Sequence, residues 1–120
     1  MDCIFCSIAS PIYEDAYVIA FFDAYPVTTG HTLIVPRRHV PDYFSLNTEE
    51  KRAIDRAILA LKRRFDQSLK PAGYNIGINN GKAAGQTVFH CHVHLIPRYV
   101  GDVSDPRGGV RGVIPSKQKY

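Results

Sequence analysis

Between Thr48 and Leu69 the chain carries a long helical periodicity found nowhere else along it. Ala53, Ile54, Ala57, Ile58, Leu61, Phe65 and Leu69 recur at three- and four-residue steps and give a single apolar face. Asn47 or Thr48 suits the cap, Glu49 and Glu50 suit the positive end of the helix dipole, and Lys70, Pro71 and Gly73 mark the exit. One such face needs a surface to lie on, and the rest of the chain offers a sheet. Residues 17–23, 31–36, 74–79 and 88–96 are short and rich in β-branched or aromatic side chains, with Pro26, Gly30, Pro36, Gly81 and Gly85 between them. Residues 3–9, with Ile4, Phe5 and Ile8 apolar, read as a short N-terminal helix. The pattern predicts an α+β fold, a helix on a mostly antiparallel sheet. From Gly101 to Tyr120 periodicity is lost, and Pro106, Gly108, Gly109, Gly112 and Pro115 predict an extended C-terminal arm on a single domain of residues 1–120.

With 45% hydrophobic residues, 120 residues suffice for one core. No apolar run approaches the roughly 20 residues that span a bilayer, and the start MDCIFCSIAS has neither a basic lead nor a signal-like apolar stretch. Membrane association is not expected, and the expected location is cytoplasmic. The formal charge of +4 suggests an anionic partner. The aromatic residues are not interleaved with the basic ones, which argues against nucleic acid. Cys3 and Cys6 form a C-x-x-C pair of the kind that binds metal or does redox work, and Cys91 stands apart.

Cys91 lies inside the densest chemistry of the chain. In QTVFHCHVHLIPR, His90, His92 and His94 stand at every second position, three of the five histidines within five residues. On a strand they would share one face, with the outer two about 13 Å apart. Metal bonds of about 2.0–2.1 Å cannot join both outer rings, so a single tri-histidine metal site is disfavoured. One end of the row remains available to a metal. A neutral imidazole is a good nucleophile near neutrality, and neighbouring rings can orient it and donate to a charged oxygen. The preceding NNGKAAGQTV is a polar, glycine-rich stretch suited to phosphate oxygens. No carboxylate stands in the row, which disfavours paired-carboxylate chemistry.

The run HCHVHLI resembles the signature of the histidine triad (HIT) superfamily. AFFDAYPVTTGHTLIVPRRHV and NNGKAAGQTVFHCHVHLIPRY resemble two of its blocks, and CIFCSI the N-terminus of many members. GQTV before the row and IPR after it look closer to the fragile-histidine-triad-like hydrolase branch than to the phosphoramidase branch. The resemblance implies a five-stranded antiparallel sheet with one long helix, the sheet continuing across a homodimer. It implies a nucleotide hydrolase or transferase acting through a covalent nucleotidyl-histidine. His92 would attack the α-phosphate, His90 and His94 would support it, and His31 would pack beside them. Asn79, Gly85, Gln86, Thr87 and Val88 would hold phosphate, and Asp23 would take the ribose hydroxyls. Phe22, Ile4, Phe5 and Ile8 would form the pocket for a purine base. Cys3, Cys6, His39 and His90 would hold a structural zinc, with no cofactor needed for the chemical step. The substrate expected first is a dinucleoside polyphosphate of the diadenosine tetraphosphate type, with Arg107 and Arg111 of the arm reaching the distal phosphates. The alternatives are a purine nucleoside phosphoramidate, or regulatory nucleotide binding with little catalysis.

Overall fold

The computed structural model describes residues 3–120. The helix α1 runs Thr48–Ser68, and Asn47 and Glu50 close a reciprocal capping box at its start. Its apolar face, Ala53, Ile54, Ala57, Leu61 and Phe65, is buried. At the exit Lys70 takes a left-handed conformation (φ 52°), and its N–H donates to the carbonyl of Phe65 at 2.9 Å. Glu50 does more than cap. It is buried, and the Arg38 guanidinium donates to both its oxygens, at 3.0 and 2.8 Å, holding its carboxyl below the usual range. Through that pair the start of α1 is fastened to the segment that follows the third strand. Among the described residues no helix is long and apolar enough to cross a membrane.

Five antiparallel strands, β1 (Tyr13–Glu14), β2 (Val18–Phe22), β3 (Thr32–Pro36), β4 (Gly73–Ile78) and β5 (Val93–Arg98), form one sheet in the order β1-β2-β3-β5-β4. Alternation along the strands splits them between two faces. Val18, Ala20, Ile34, Val93 and Leu95 pack with α1, while Leu33 and Val35 pack with Phe5 on the other side. The register sets His94 opposite Leu33 of β3 and Gly77 of β4. That places a histidine at the centre of the face that α1 leaves open. Gly30, just before β3, has φ 90°, and an added Cβ there would meet Leu69 Cδ1 at 2.5 Å. Only glycine satisfies both the turn and that approach.

Three expectations need correction. The N-terminal segment is not a helix: it folds through a turn closed by the N–H of Cys6 and the carbonyl of Cys3 at 3.1 Å, and no run of helical bonds follows. The strand expected over 88–96 begins at Val93. Its first residues are drawn out of the ladder, since Cys91 donates its N–H to Val40 at 2.7 Å and the His90 ring bonds the Pro36 carbonyl at 2.7 Å. The C-terminal arm is folded rather than extended, with 3-10 helices at Gly109–Val113 and Pro115–Lys117. Arg111 folds it, donating to the carbonyls of Lys117 (2.8 Å) and Gln118 (3.2 Å) while its guanidinium lies over the Tyr120 ring.

Candidate active site and metal cluster

A cavity of about 470 Å³ opens on the sheet face away from α1. Ile4, Phe5 and Ile8 make one wall, Phe22 and Asp23 another, and Asn79, Gly85, Thr87 and Val88 close one end, with His92 and His94 also lining it. These come from five separate stretches of the chain. Their gathering follows from the fold: β2 ends at Phe22, the N-terminal turn seats Phe5 against Leu33 and Val35, and the 79–88 loop lies between β4 and β5. Phe21, Ala24, Tyr25 and Leu33 complete the lining, residues the sequence reading missed. Alternation along β2 and β3 was the available signal, because Phe21 and Leu33 are cross-strand partners.

Gln86 does not face the cavity. It is buried and spent inside its own loop: Oε1 accepts the Gly81 N–H at 2.8 Å, and Nε2 donates to the carbonyls of Pro41 (2.6 Å) and Val88 (3.0 Å). Gly81 and Gly85 both carry positive φ (91° and 95°), the conformation that lets the loop double back on this amide.

The hydrogen bonds fix a proton position on each ring. The carbonyl of His90 lies 2.9 Å from His92 Nδ1 and can only accept, so the proton is on Nδ1 and His92 Nε2 keeps its lone pair. The N–H of Val27 donates to His31 Nδ1 at 3.1 Å, which puts the His31 proton on Nε2. That atom is 2.9 Å from His94 Nδ1, which therefore accepts, and the His94 proton sits on Nε2. His94 Nε2 is buried and has no partner among the described residues. A buried N–H without an acceptor is costly and marks a place where a ligand oxygen can bind. Burial holds His31 and His94 below the ordinary histidine range; Asp23 opposes this in both, and His92 and His31 reinforce it at His94. The relay is thus neutral near pH 7.

Asp23 stands at the rim. One oxygen accepts the Tyr25 N–H at 2.9 Å; the other lies 3.4 Å from His31 Nε2, a polar contact rather than an ion pair while His31 is neutral. That oxygen keeps capacity for a further donor. Asp23, His31 and His94 also lie close enough to share a cation, but the proton between the two rings occupies the lone pair a metal would need.

At the far end of the row His90 turns away. Its Nε2–H is donated to Pro36, burial lowers its proton affinity, and Nδ1 faces a second group. Nδ1 is 3.3 Å from Cys3 Sγ, 3.4 Å from Cys6 Sγ and 3.2 Å from His39 Nδ1, and Cys6 Sγ is 3.2 Å from His39 Nδ1. Tetrahedral zinc with bonds of about 2.3 Å to sulfur and about 2.05 Å to nitrogen separates nitrogen from nitrogen and nitrogen from sulfur by roughly 3.3–3.6 Å. The observed spacings agree to a few tenths of an ångström. Cys2His2 is a closed structural set, and the donor atoms fit it. Cys91 takes no part: it is buried with the α1 core, and burial pushes its thiol up to about 11.

Of the arm residues, Arg107 is 3.7 Å from Asp105 and Arg111 is turned inward; neither lines the cavity. The expectation that they reach distal phosphates is not met by this arrangement, because the arm's own carbonyls and carboxylate use them.

Comparison with known proteins bears on the family and the fold. The HIT domain matches residues 8–101. The hit protein of Bacillus subtilis is 39% identical over 104 residues, 82% of this chain and 72% of that protein. The crystal structure of a HIT family protein from Bacillus anthracis superposes with a TM-score of 0.78 at 42% identity, over 84% of this chain and 76% of its own. That of a Zn-bound histidine triad family protein from Mycobacterium smegmatis gives a TM-score of 0.78 at 37% identity, over 87% and 80%. With the triad, its relay and the cavity on one sheet face, and with these likenesses across the domain, the chain belongs to the HIT family.

Proposed function

We propose that the protein hydrolyses a nucleoside 5′-phosphoryl compound at its α-phosphate through a covalent nucleotidyl-His92. The observation that carries this reading is the hydrogen bond of His92 Nδ1–H to the His90 carbonyl, which leaves Nε2 as the ring atom free to act as nucleophile at the cavity. His92 Nε2 forms the bond to phosphorus as the bond to the leaving group breaks. The buried Nε2–H of His94 is the donor for a non-bridging oxygen, which takes on charge in the transition state. Water then attacks the adduct, returning His92 and releasing the nucleoside monophosphate. Ile4, Phe5, Ile8 and Phe22 supply apolar surface for a purine, and Asp23 the acceptor for ribose hydroxyls.

Two leaving groups are in question. A dinucleoside polyphosphate is the first substrate expected from the sequence. The lining favours a second reading, a nucleoside phosphoramidate, because among the described residues no lysine or arginine lines the cavity to receive a polyphosphate. The zinc expected at Cys3, Cys6, His39 and His90 is proposed as structural, a clamp between the N-terminal turn and the start of the row. Homodimerisation and a cytoplasmic location belong to the same reading. The test is turnover of diadenosine tetraphosphate against adenosine phosphoramidate, with mass spectrometry of quenched protein. Wild type gains the mass of a nucleoside monophosphate, and His92→Ala neither gains it nor turns over. Full activity in His92→Ala, or binding with no turnover of either compound, would overturn the reading in favour of a regulatory nucleotide-binding protein.

A further inference from the structure

A smaller cavity, of about 390 Å³, opens beside the four sulfur and nitrogen donors, with Cys3, His39 and His90 in its lining. Ile4, Thr87 and Val88 line it as well, and the same three line the cavity assigned to the nucleotide. They form a partition between a pair of thiols and the proposed substrate. Small solutes reach both thiols, Cys3 through this cavity and Cys6 directly, since Cys6 is exposed. The pair is also placed to close. The N–H of Cys6 donates to the carbonyl of Cys3 at 3.1 Å. A turn closed in this way keeps its end Cα atoms within about 7 Å, a span that a disulfide can bridge. The donor atoms of all four side chains lie within 4.8 Å of one another. Cys91 does not compete, because it is buried in the α1 core.

We propose that Cys3 and Cys6 are a reversible oxidation site, closed to a disulfide by a hydroperoxide, and that closure loosens the wall of the nucleotide cavity. The effect on the nucleotide rests on the function proposed for that cavity; the oxidation does not. An ion on the four donors keeps both sulfurs deprotonated. In the first step the Cys6 thiolate attacks a peroxide oxygen, the O–O bond breaks, and the departing hydroxide or alkoxide takes a proton from solvent. In the second, the Cys3 thiolate attacks the sulfenic sulfur of Cys6, the S–S bond forms, and hydroxide leaves to become water. Two electrons pass from the two sulfurs to the peroxide, and exchange with a dithiol returns them.

Closure cannot leave the turn where it is. Two sulfurs on one tetrahedral ion stand about 3.8 Å apart, and in a disulfide about 2.05 Å. Each sulfur must swing off the ring beside it, Cys3 from His90, now at 3.3 Å, and Cys6 from His39, now at 3.2 Å. Four donors that lose two release the ion they held. Between the two sulfurs stand only Ile4 and Phe5. Phe5 is buried, its ring 5.4 Å from that of Phe21 and 5.0 Å from that of His92. Movement of the turn therefore reaches the apolar wall and the ring beside it together.

The test is hydrogen peroxide added to wild-type protein purified without chelator, read by intact-mass spectrometry, a chromogenic zinc chelator and calorimetric titration with adenosine monophosphate. The mass is expected to fall by about 2 Da, two hydrogens, with the bridge mapped to Cys3 and Cys6. Zinc is expected to leave in step with it. The Kd for adenosine monophosphate is expected to rise about tenfold, the equivalent of losing half the burial of one phenylalanine. Dithiothreitol with added zinc should reverse all three changes. Cys91→Ala, which keeps the pair, should lose the same two hydrogens, and Cys6→Ser should lose none. A chain that gains oxygen at Cys6 and stops there, or a bridge between two chains, overturns the site. A bridge that leaves the zinc in place or the Kd unchanged overturns its link to the cavity. Absence of adenosine monophosphate binding by the reduced protein instead overturns the nucleotide reading, and the mass change alone then decides the oxidation site.

Discussion

Acidification should unfold this protein earlier than its carboxylates alone would allow. His31 and His94 are held neutral in the fold by burial, so the folded pKa of each lies below its unfolded value of about 6.5. Below that pH the unfolded chain binds protons that the folded chain refuses, and stability falls as pH falls. Between pH 7.5 and 5.5 each such histidine removes at most about 1.4 kcal/mol, and His90, held down by burial in the same way, adds to the slope set by His31 and His94. Such a loss is a sizeable part of the ordinary stability of a domain. The depressed carboxyls, Glu50 and Asp15, keep their stabilising charge throughout this window, because such groups lose it only below their unfolded pKa near 4. Chelated protein should be unfolded with guanidinium chloride at pH 7.5, 6.5 and 5.5. His31→Gln retains a donor for His94 Nδ1 but cannot take up a proton, so its loss over the window should be smaller than that of wild type, by at most about 1.4 kcal/mol. Stability independent of pH in wild type, or the same loss in His31→Gln, would refute the neutral relay and the proton positions derived from it.

Other outcomes follow from particular contacts. Gly30→Ala forces a Cβ towards Leu69 at a positive φ and should cost about 1–3 kcal/mol, read as a lowered melting temperature. Arg38→Met leaves the buried Glu50 carboxylate with only its capping-box bonds; because Arg38 is half exposed, about 2 kcal/mol is expected rather than the full cost of an orphaned buried charge. Elemental analysis of protein purified without chelator should give one zinc per chain, falling towards zero in Cys3→Ser/Cys6→Ser; no metal in a fully stable wild type would remove the zinc reading.

The helix and the strands were legible because each signal is local. Asn47 and Glu50 announce the start of α1, the three- and four-residue apolar steps its buried face, and the β-branched runs the strands of the sheet. The positions of Ile4, Phe5, Ile8, Phe22, Asp23, Asn79, Gly85, Thr87, Val88, His92 and His94 around one cavity came from the family resemblance, since no local pattern brings five stretches together. Where the reading failed, a long-range bond had overruled a local preference. Residues 88–92 have strand composition, yet Val40 and Pro36 take the hydrogen bonds a ladder would need. Gln86 has the polarity of a phosphate ligand, but nothing in its neighbours shows that Gly81, Pro41 and Val88 would use all of it. The arm lacks periodicity because its order comes from Arg111 and from the turn at Gly108, not from an apolar face.

Ile4 and Phe5 occupy the two positions between Cys3 and Cys6. Whatever fixes the two thiols therefore fixes part of the cavity wall, and His90 extends the same connection to His92, the proposed nucleophile, through its carbonyl. Occupancy at one end and at the other then share a single coupling free energy, which acts equally in both directions. A nucleotide that orders the wall would tighten the grip of the thiols and imidazoles on the proposed zinc by the factor by which zinc would tighten the grip on the nucleotide. The row of alternating histidines would, in those terms, be a thermodynamic bridge between the proposed zinc and the proposed nucleotide, two ligands that never touch.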